Sequence, residues 1–355
     1  MIGCSLTNND NRPMDNITHT LTGLALSQAG LNRKTRFATA ALLIGSNLPD
    51  IDVFWSRGGG GTNYIEYHRG ITHSLVGVVA LGAVLAAILY YLGRLFPGKS
   101  GGANDGTSSL NVRWLFGVCW IGTGGHLLMD YTNAYGVRPF LPFSDRWYAL
   151  DIMPIVDLPL LLALILGLGI PALLRVISEE VGAGRPSYQR GAILSLIFLV
   201  LLWGLRGFAH QRALGMLEGH TYGDENPVRV GAFPTFVSPF AWTGVVETSS
   251  SFLLLNVNAL ASDVDPTQSR EFPKPEPSPA IAAALRSHTG AVFSHFARFL
   301  WIQTEETDDG YVVTLHALRF ASQTQGRLGF EASVTLDKKL QVVSEGLSFT
   351  GRRGD

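Results

Sequence analysis

Gly124-Gly125-His126-Leu127-Leu128-Met129-Asp130 closes an apolar run, and its reading decides the fold of the N-terminal part of the chain. On a helix, residues four apart share a face, so His126 and Asp130 would present an imidazole and a carboxylate from one turn of a rigid element. Such a pair can grip a single metal ion. The spacing alone is common by chance. Its weight comes from the neighbouring apolar segments, which also begin or end on histidine or aspartate: His19, Asp50, Asp52, His68 and His73 upstream, Asp151 and Asp157 downstream.

Composition says where such segments live. Of 355 residues, 46% are hydrophobic and only 15% charged, against about 25% charged in an ordinary soluble domain. The mean hydropathy is +0.21. This balance predicts an integral membrane protein with a soluble part, and the length suffices for two domains. A net charge of -1 and a pI of 6.8 leave no broad basic surface, so no nucleic-acid partner is expected. Cys4 lies in a polar tail and Cys119 in an apolar segment; they form no Cys-x-x-Cys motif and are not expected to pair. Residues 1–13 read as a disordered extension, with Met14 an alternative start and no apolar core of a cleavable signal.

Residues 17–30 and 36–48 are apolar and helix-compatible. Each would be about 20 Å long, short of a ~30 Å hydrocarbon core, so they are expected as short or tilted spans or a re-entrant hairpin. Pro49 closes the second. A Gly-rich loop is expected over 53–70, followed by spans at about 74–93, 112–129, 154–174 and 191–209, with a flexible loop at 98–109. The aromatic and polar stretch 130–153 suits a structured loop at a membrane interface. After residue 210 the pattern changes to alternation, predicting strands at 242–247, 252–257, 298–304, 311–319, 329–335 and 340–349, with a linker from Pro266 to Pro279. The expected fold is an all-α polytopic membrane domain over 14–210 and a strand-rich α+β soluble domain over 211–355.

Antiparallel alternation of these segments brings His19, Asp50, His73, His126, Asp130, Asp151 and Asp157 to one face of the membrane. Ionisable groups at such a boundary are costly and usually serve a purpose. The opposite face carries Arg33, Lys34, Arg36, Arg94, Lys99, Arg113, Arg175, Arg185 and Arg190, nine basic residues against the site side's five, Arg12, Arg57, Arg69, Arg138 and Arg146. The positive-inside rule then predicts a cytoplasmic (inner) membrane protein with the site and the C-terminal domain on the periplasmic or external side.

In His68-Arg69-Gly70-Ile71-Thr72-His73-Ser74, Gly70 permits a sharp turn that lets both histidines reach one site. Thr72 and Ser74 suit helix capping or hydrogen bonds to a ligand residue. Asp50 and Asp52 share a side on an extended loop, and can bind one ion or bridge two; capping and solvation are their bland alternatives. Asp52 or Asp151 would serve as the general base, although Asp151 and Asp157 equally suit a helix N-terminus. Arg69 and Arg138 can bind an anionic substrate through a planar fork or simply snorkel. A mixed His and Asp shell suits one to three divalent ions, zinc first, with Mn or Fe as alternatives. Such a site suits hydrolysis of phosphoesters. There is no Walker A motif, dinucleotide fingerprint or Gly-x-Ser-x-Gly elbow. His210, His220, His288, His295 and His316 fall outside the set.

Four motifs resemble one family. Met14-Asp15-x-x-Thr18-His19, Leu48-Pro49-Asp50-Ile51-Asp52, His68-Arg69-Gly70-x-x-His73-Ser74 and Gly125-His126-x-x-x-Asp130 are similar to those of the YdjM-like, LexA-regulated membrane-bound metal-dependent hydrolases, over about residues 14–210. The resemblance implies a multi-pass bacterial or archaeal membrane protein with hydrolase activity. It also implies a distant likeness to the helical fold of zinc-dependent phospholipase C and single-strand nucleases, with His19, Asp50, His73, His126 and Asp130 as ligands. The expected function is hydrolysis of an ester or phosphoester bond in a lipid or envelope substrate by metal-activated water. The rival is a metal-binding membrane protein without catalysis, a transporter or envelope-stress factor. A transporter carries its charges midway along its spans, whereas here they gather at one end.

Overall fold

The computed structural model describes residues 16–56, 60–96, 109–181, 187–322 and 328–348. The extension expected at 1–13, the basic residues Arg57, Lys99 and Arg185, and nearly all of the 98–109 loop lie outside the described residues.

Helix α1 (Asn16–Gln28) and α2 (Ala38–Gly45) are 13 and 8 residues long. At 1.5 Å per residue they reach about 20 and 12 Å, so neither crosses a ~30 Å core by itself. The 3-10 turn Leu48–Asp52 follows, then α3 (Val53–Ser56) and α4 (Gly60–Tyr67). Helices therefore stand where the glycines predicted a loop. A second 3-10 turn, Ile71–His73, leads into α5 (Leu75–Leu95), then α6 (Val112–Thr132), α7 (Leu158–Val181) and α8 (Tyr188–Glu218). Among the described residues, three stretches, Leu75–Leu95, Leu158–Ile177 and Tyr188–Glu218, are long and apolar enough to cross a membrane. Their outward side chains, such as Val84, Ile88, Leu173 and Val200, stay exposed, as lipid-facing residues should. Helix α6 has the length of α5 but is interrupted by four glycines, His126 and Asp130.

Helices in lipid approach through small residues, because the tails offer no hydrophobic drive between them. A Cβ on Gly122 of α6 would lie 3.1 Å from the Gly45 Cα of α2. That contact seats the α1–α2 hairpin on α6. Leu42, Leu85, Leu115, Val118 and Cys119 fill the space between α2, α5 and α6.

The C-terminal part holds two antiparallel meanders. One runs β1 (Arg229–Pro234), β2 (Ala241–Glu247), β3 (Ser251–Asn258), β4 (Arg270–Pro273). After α9 (Pro279–Arg286) and α10 (His288–Phe296), the other runs β5 (Leu300–Thr307), β6 (Gly310–Ala317), β7 (Glu331–Asp337), β8 (Val342–Ser348). The alternating segments became strands as expected; β1 and the two helices were not foreseen. Strand β4 lies inside the stretch expected to be a linker, because its Phe272 buries against Phe252 of β3.

The boundary expected at 210 falls inside α8, which continues to Glu218. Ala209, Ala213 and Leu217 of α8 pack with Trp242, Leu253 and Leu255 in one core. A second core joins Ile65 of α4 and Tyr135, just after α6, to Phe293, Phe296, Val313 and Val334. A third core adds Ala134, also just after α6, to Phe233, Leu254 and Phe299, so the sheets are fastened to the helical part through apolar burial.

Candidate metal centre

The α6 face that buries Leu115, Cys119, Gly122 and Thr123 also buries His126 and Asp130, because the helical period carries them to the same side. The Gly45–Gly122 approach brings the Ser46 carbonyl to the His126 Nδ1–H, at 2.7 Å. This bond leaves Nε2 as the nitrogen available to an ion. His73, on the turn before α5, bonds through Nδ1 to Asp52 at 3.1 Å, and likewise leaves Nε2 facing His126.

Those two Nε2 atoms are 3.1 Å apart. The His73 Nε2 lies 3.3 Å from Asp50 Oδ1 and 3.4 Å from Asp130 Oδ2. The His126 Nε2 lies 3.4 Å from each of the same two oxygens. Tetrahedral coordination with bonds of about 2.0–2.1 Å requires donors about 3.3–3.4 Å apart. Five of the six edges of that tetrahedron are therefore present, and the side chains have no more than 8% exposure. Asp130 Oδ2 is buried without a hydrogen-bond partner, which is costly unless a cation faces it. The donor set fits a divalent ion. A second group that could hold an ion consists of Asp50, Asp52 and His68, and shares Asp50 with the first.

His19 stands at the edge of the set. Its ring stacks on His126 with centroids 4.0 Å apart, and its Nε2 lies 3.4 Å from Asp130 Oδ1. Arg69 is buried, and its guanidinium donates to Asp130 Oδ1 at 2.8 Å, Asn133 Oδ1 at 2.9 Å and the Gly136 carbonyl at 3.0 Å. It braces a candidate ligand and has little left for a substrate anion. The sharp turn expected at Gly70 is made by Arg69, whose φ is 56°. Gly70 is needed for closeness instead, since a Cβ there would meet the Tyr67 carbonyl at 2.7 Å.

Asp52 is more heavily engaged than a free base would be. It accepts from His68 Nδ1 at 2.9 Å, the Arg69 backbone N–H at 3.0 Å and the Thr72 hydroxyl at 2.6 Å, besides His73. Asp151 does not join the donor set. Arg298, just before β5, grips it with bonds of 2.5 and 2.6 Å. Asp157 caps α7 through the Leu160 N–H at 2.8 Å and pairs with the buried Arg206 of α8 at 2.5 Å. Arg138 donates to the Glu66 carbonyl at 2.5 Å and lines a cavity of about 220 Å³ with Trp147 and His295. Ser46, Asn133 and Tyr135 were not foreseen. A backbone carbonyl as partner leaves no mark in a sequence.

Burial alone would raise the Asp50 carboxyl and lower the His73 imidazole. For Asp50, bonds to His126 and His73 outweigh burial and hold it well below the usual carboxylate range. For Asp52, bonds to His68 and His73 do the same. His73 sits among Asp130, Asp50 and Asp52, which overcome burial and carry it up to about 10. His68 has one strong carboxylate partner, and there burial prevails and lowers it.

Helices α1 to α7, most of α8 and this donor set fall within residues 14–213, which match the YdjM inner membrane protein family over more than half of the chain. The chain belongs to the YdjM inner membrane protein family. In this YdjM-family protein, residues 279–352 match the YfhP C-terminal alpha/beta plait domain, which begins at α9 and spans the second meander. "Uncharacterized protein YfhP" of Bacillus subtilis (strain 168) is 30% identical over 155 residues, 41% of this chain and 42% of that relative. The match thus spans less than half the length of the curated relative. No solved structure matches the chain, so the likeness to phospholipase C carries no further argument.

Proposed function

We propose that this YdjM-family membrane protein is a metal-dependent hydrolase of ester or phosphoester bonds. The single observation that supports this most is the buried tetrahedral spacing of Asp50, His73, His126 and Asp130. Two imidazoles and two carboxylates suit zinc, with Mn or Fe as alternatives; the group sharing Asp50 suits a second ion. Bound there, a divalent ion would supply Lewis acidity for the reacting oxygen and make water a nucleophile at neutral pH.

The chain's own groups take the remaining roles. Asp52 orients His73, Arg69 fixes Asp130, and His19 flanks the donors. His68, held by Asp52, is the neighbouring group able to carry a proton, a role the sequence assigned to Asp52 or Asp151. Asp151 is committed to Arg298. Arg138 is the arginine left for a substrate anion, although the cavity it lines with Ile65, Trp147 and His295 borders none of the donors. The nine-to-five basic bias favours a multi-pass arrangement with the site and sheets outside the cytoplasm. A compartment-sensitive reporter at residue 104 should then report the cytoplasm.

One observation favours the rival, a metal-binding membrane factor without catalysis: four protein donors complete a tetrahedron, as in structural zinc sites. Donor chemistry argues against it, because structural zinc sites are rich in thiolate and this one has none. Metal analysis of the purified protein, followed by an ester and phosphoester panel, separates the two. Hydrolysis by the wild type that His126→Ala abolishes supports the hydrolase. Stoichiometric metal without turnover of any ester refutes it.

A further inference from the structure

Exposed apolar side chains stand on or next to the donor-bearing turns. Val53 follows Asp52 directly, and α3 then presents Phe54 and Trp55, 69% and 67% exposed. Ile71, exposed, lies between His68 and His73, and exposed Leu75 starts α5 two residues after His73. The Leu75 N–H bonds to the Pro139 carbonyl at 2.9 Å. This fastens the turn carrying Phe140 and Phe143, the latter 87% exposed, to the same helix end. The turn that carries Asp50 packs on the turn that carries His73 and on α5. Ile71 and Leu75 lead directly into the outward face of α5, where Val76 and Val79 are exposed along a stretch apolar enough to span a membrane. Aromatic residues at a span's end mark the headgroup boundary of a bilayer.

The opposite approach to the donors is closed. Tyr135 stands against His68, with ring centroids 6.2 Å apart, and against Phe296 of α10 at 4.7 Å. Ile65 and Tyr135 there enter the core of the second meander.

We propose that this lip of Phe54, Trp55, Ile71, Leu75, Phe140 and Phe143 lies in the bilayer interface, holds the donor set at headgroup depth, and admits a membrane-anchored phosphoester lipid from the side. The substrate assignment rests on the hydrolase reading; the immersion of the lip does not. In the reaction, the oxygen of water bonds to phosphorus, the bond from phosphorus to the leaving alcohol breaks, and the alcohol takes up the proton that the water gives up.

Two measurements on the full chain in phosphatidylethanolamine–phosphatidylglycerol vesicles test this. Spin labels on Phe54→Cys and Phe143→Cys, with Cys4 and Cys119 replaced by serine, should relax more with oxygen than with a water-soluble nickel chelate. The reverse order overturns the lip. The zinc-loaded Phe54→Ser/Trp55→Ser variant should lose vesicle-phospholipid turnover by at least about tenfold, the scale of withdrawing one large apolar side chain from lipid, and keep its turnover of a soluble nitrophenyl phosphodiester. An equal fall on both substrates overturns entry from the side. Labels in lipid with no wild-type turnover of either substrate sustain the lip and overturn the substrate assignment together with the hydrolase reading.

Discussion

Replacing Asp52 with asparagine separates an orienting carboxylate from a general base. The carboxylate accepts four hydrogen bonds, from His68, the Arg69 backbone, Thr72 and His73. Asparagine keeps the shape but offers one accepting oxygen, and its NH2 would face donors. The His73 Nδ1 bond, which aims Nε2 at the other ligands, would be weakened. Loss of such an outer partner costs about 10- to 100-fold in metal affinity, or about 1.4–2.8 kcal/mol. Competition with a chromophoric chelator in detergent measures this, and turnover is then followed as metal is raised. If Asp52 orients, affinity falls by that factor and excess metal restores most of the activity. Unchanged affinity together with turnover lost at saturating metal would refute the reasoning and restore Asp52 as the base.

Stability should depend on pH differently with and without metal. His73 is raised from 6.5 to about 10, so its stabilising proton is fully present below pH 6.5 and lost as pH rises through about 10. Asp50 and Asp52 are held below 3.8, so their contribution is present above that value and lost in acid. Metal-free protein should be most stable between these limits, and a bound ion should remove the alkaline loss while releasing protons; thermal melts that coincide from pH 6.5 to 10 with and without metal would contradict this. Arg206→Leu should destabilise by about 3–5 kcal/mol, because it leaves Asp157 charged and buried. Adding Asp157→Asn should recover much of that loss in denaturant titrations; a double variant as weak as the single would count against the pair.

Periodicity made much of the architecture legible. The apolar runs became α1, α2 and α5 to α8, and six alternating segments became strands, because both signals reside in neighbouring residues. The stretch at 53–70 misled because tertiary contact outweighs glycine content: α4 is held by Ile65 in the second core and by Thr62, 3.0 Å from Thr289 of α10. The meeting of His19, Asp50, His73, His126 and Asp130 followed from counting antiparallel segments, which also drew in Asp151 and Asp157, two residues the structure pairs with arginines instead. Their roles did not. His126 and Asp130 share a helical face by sequence alone, a consequence of the 3.6-residue period. Only the packed chain could decide that Ser46 orients His126, that Asp52 is saturated by four donors, and that Asp151 belongs to Arg298, 147 residues away. Charge and hydrogen-bond partners are chosen by distance in space, and a sequence specifies that distance only through the whole fold.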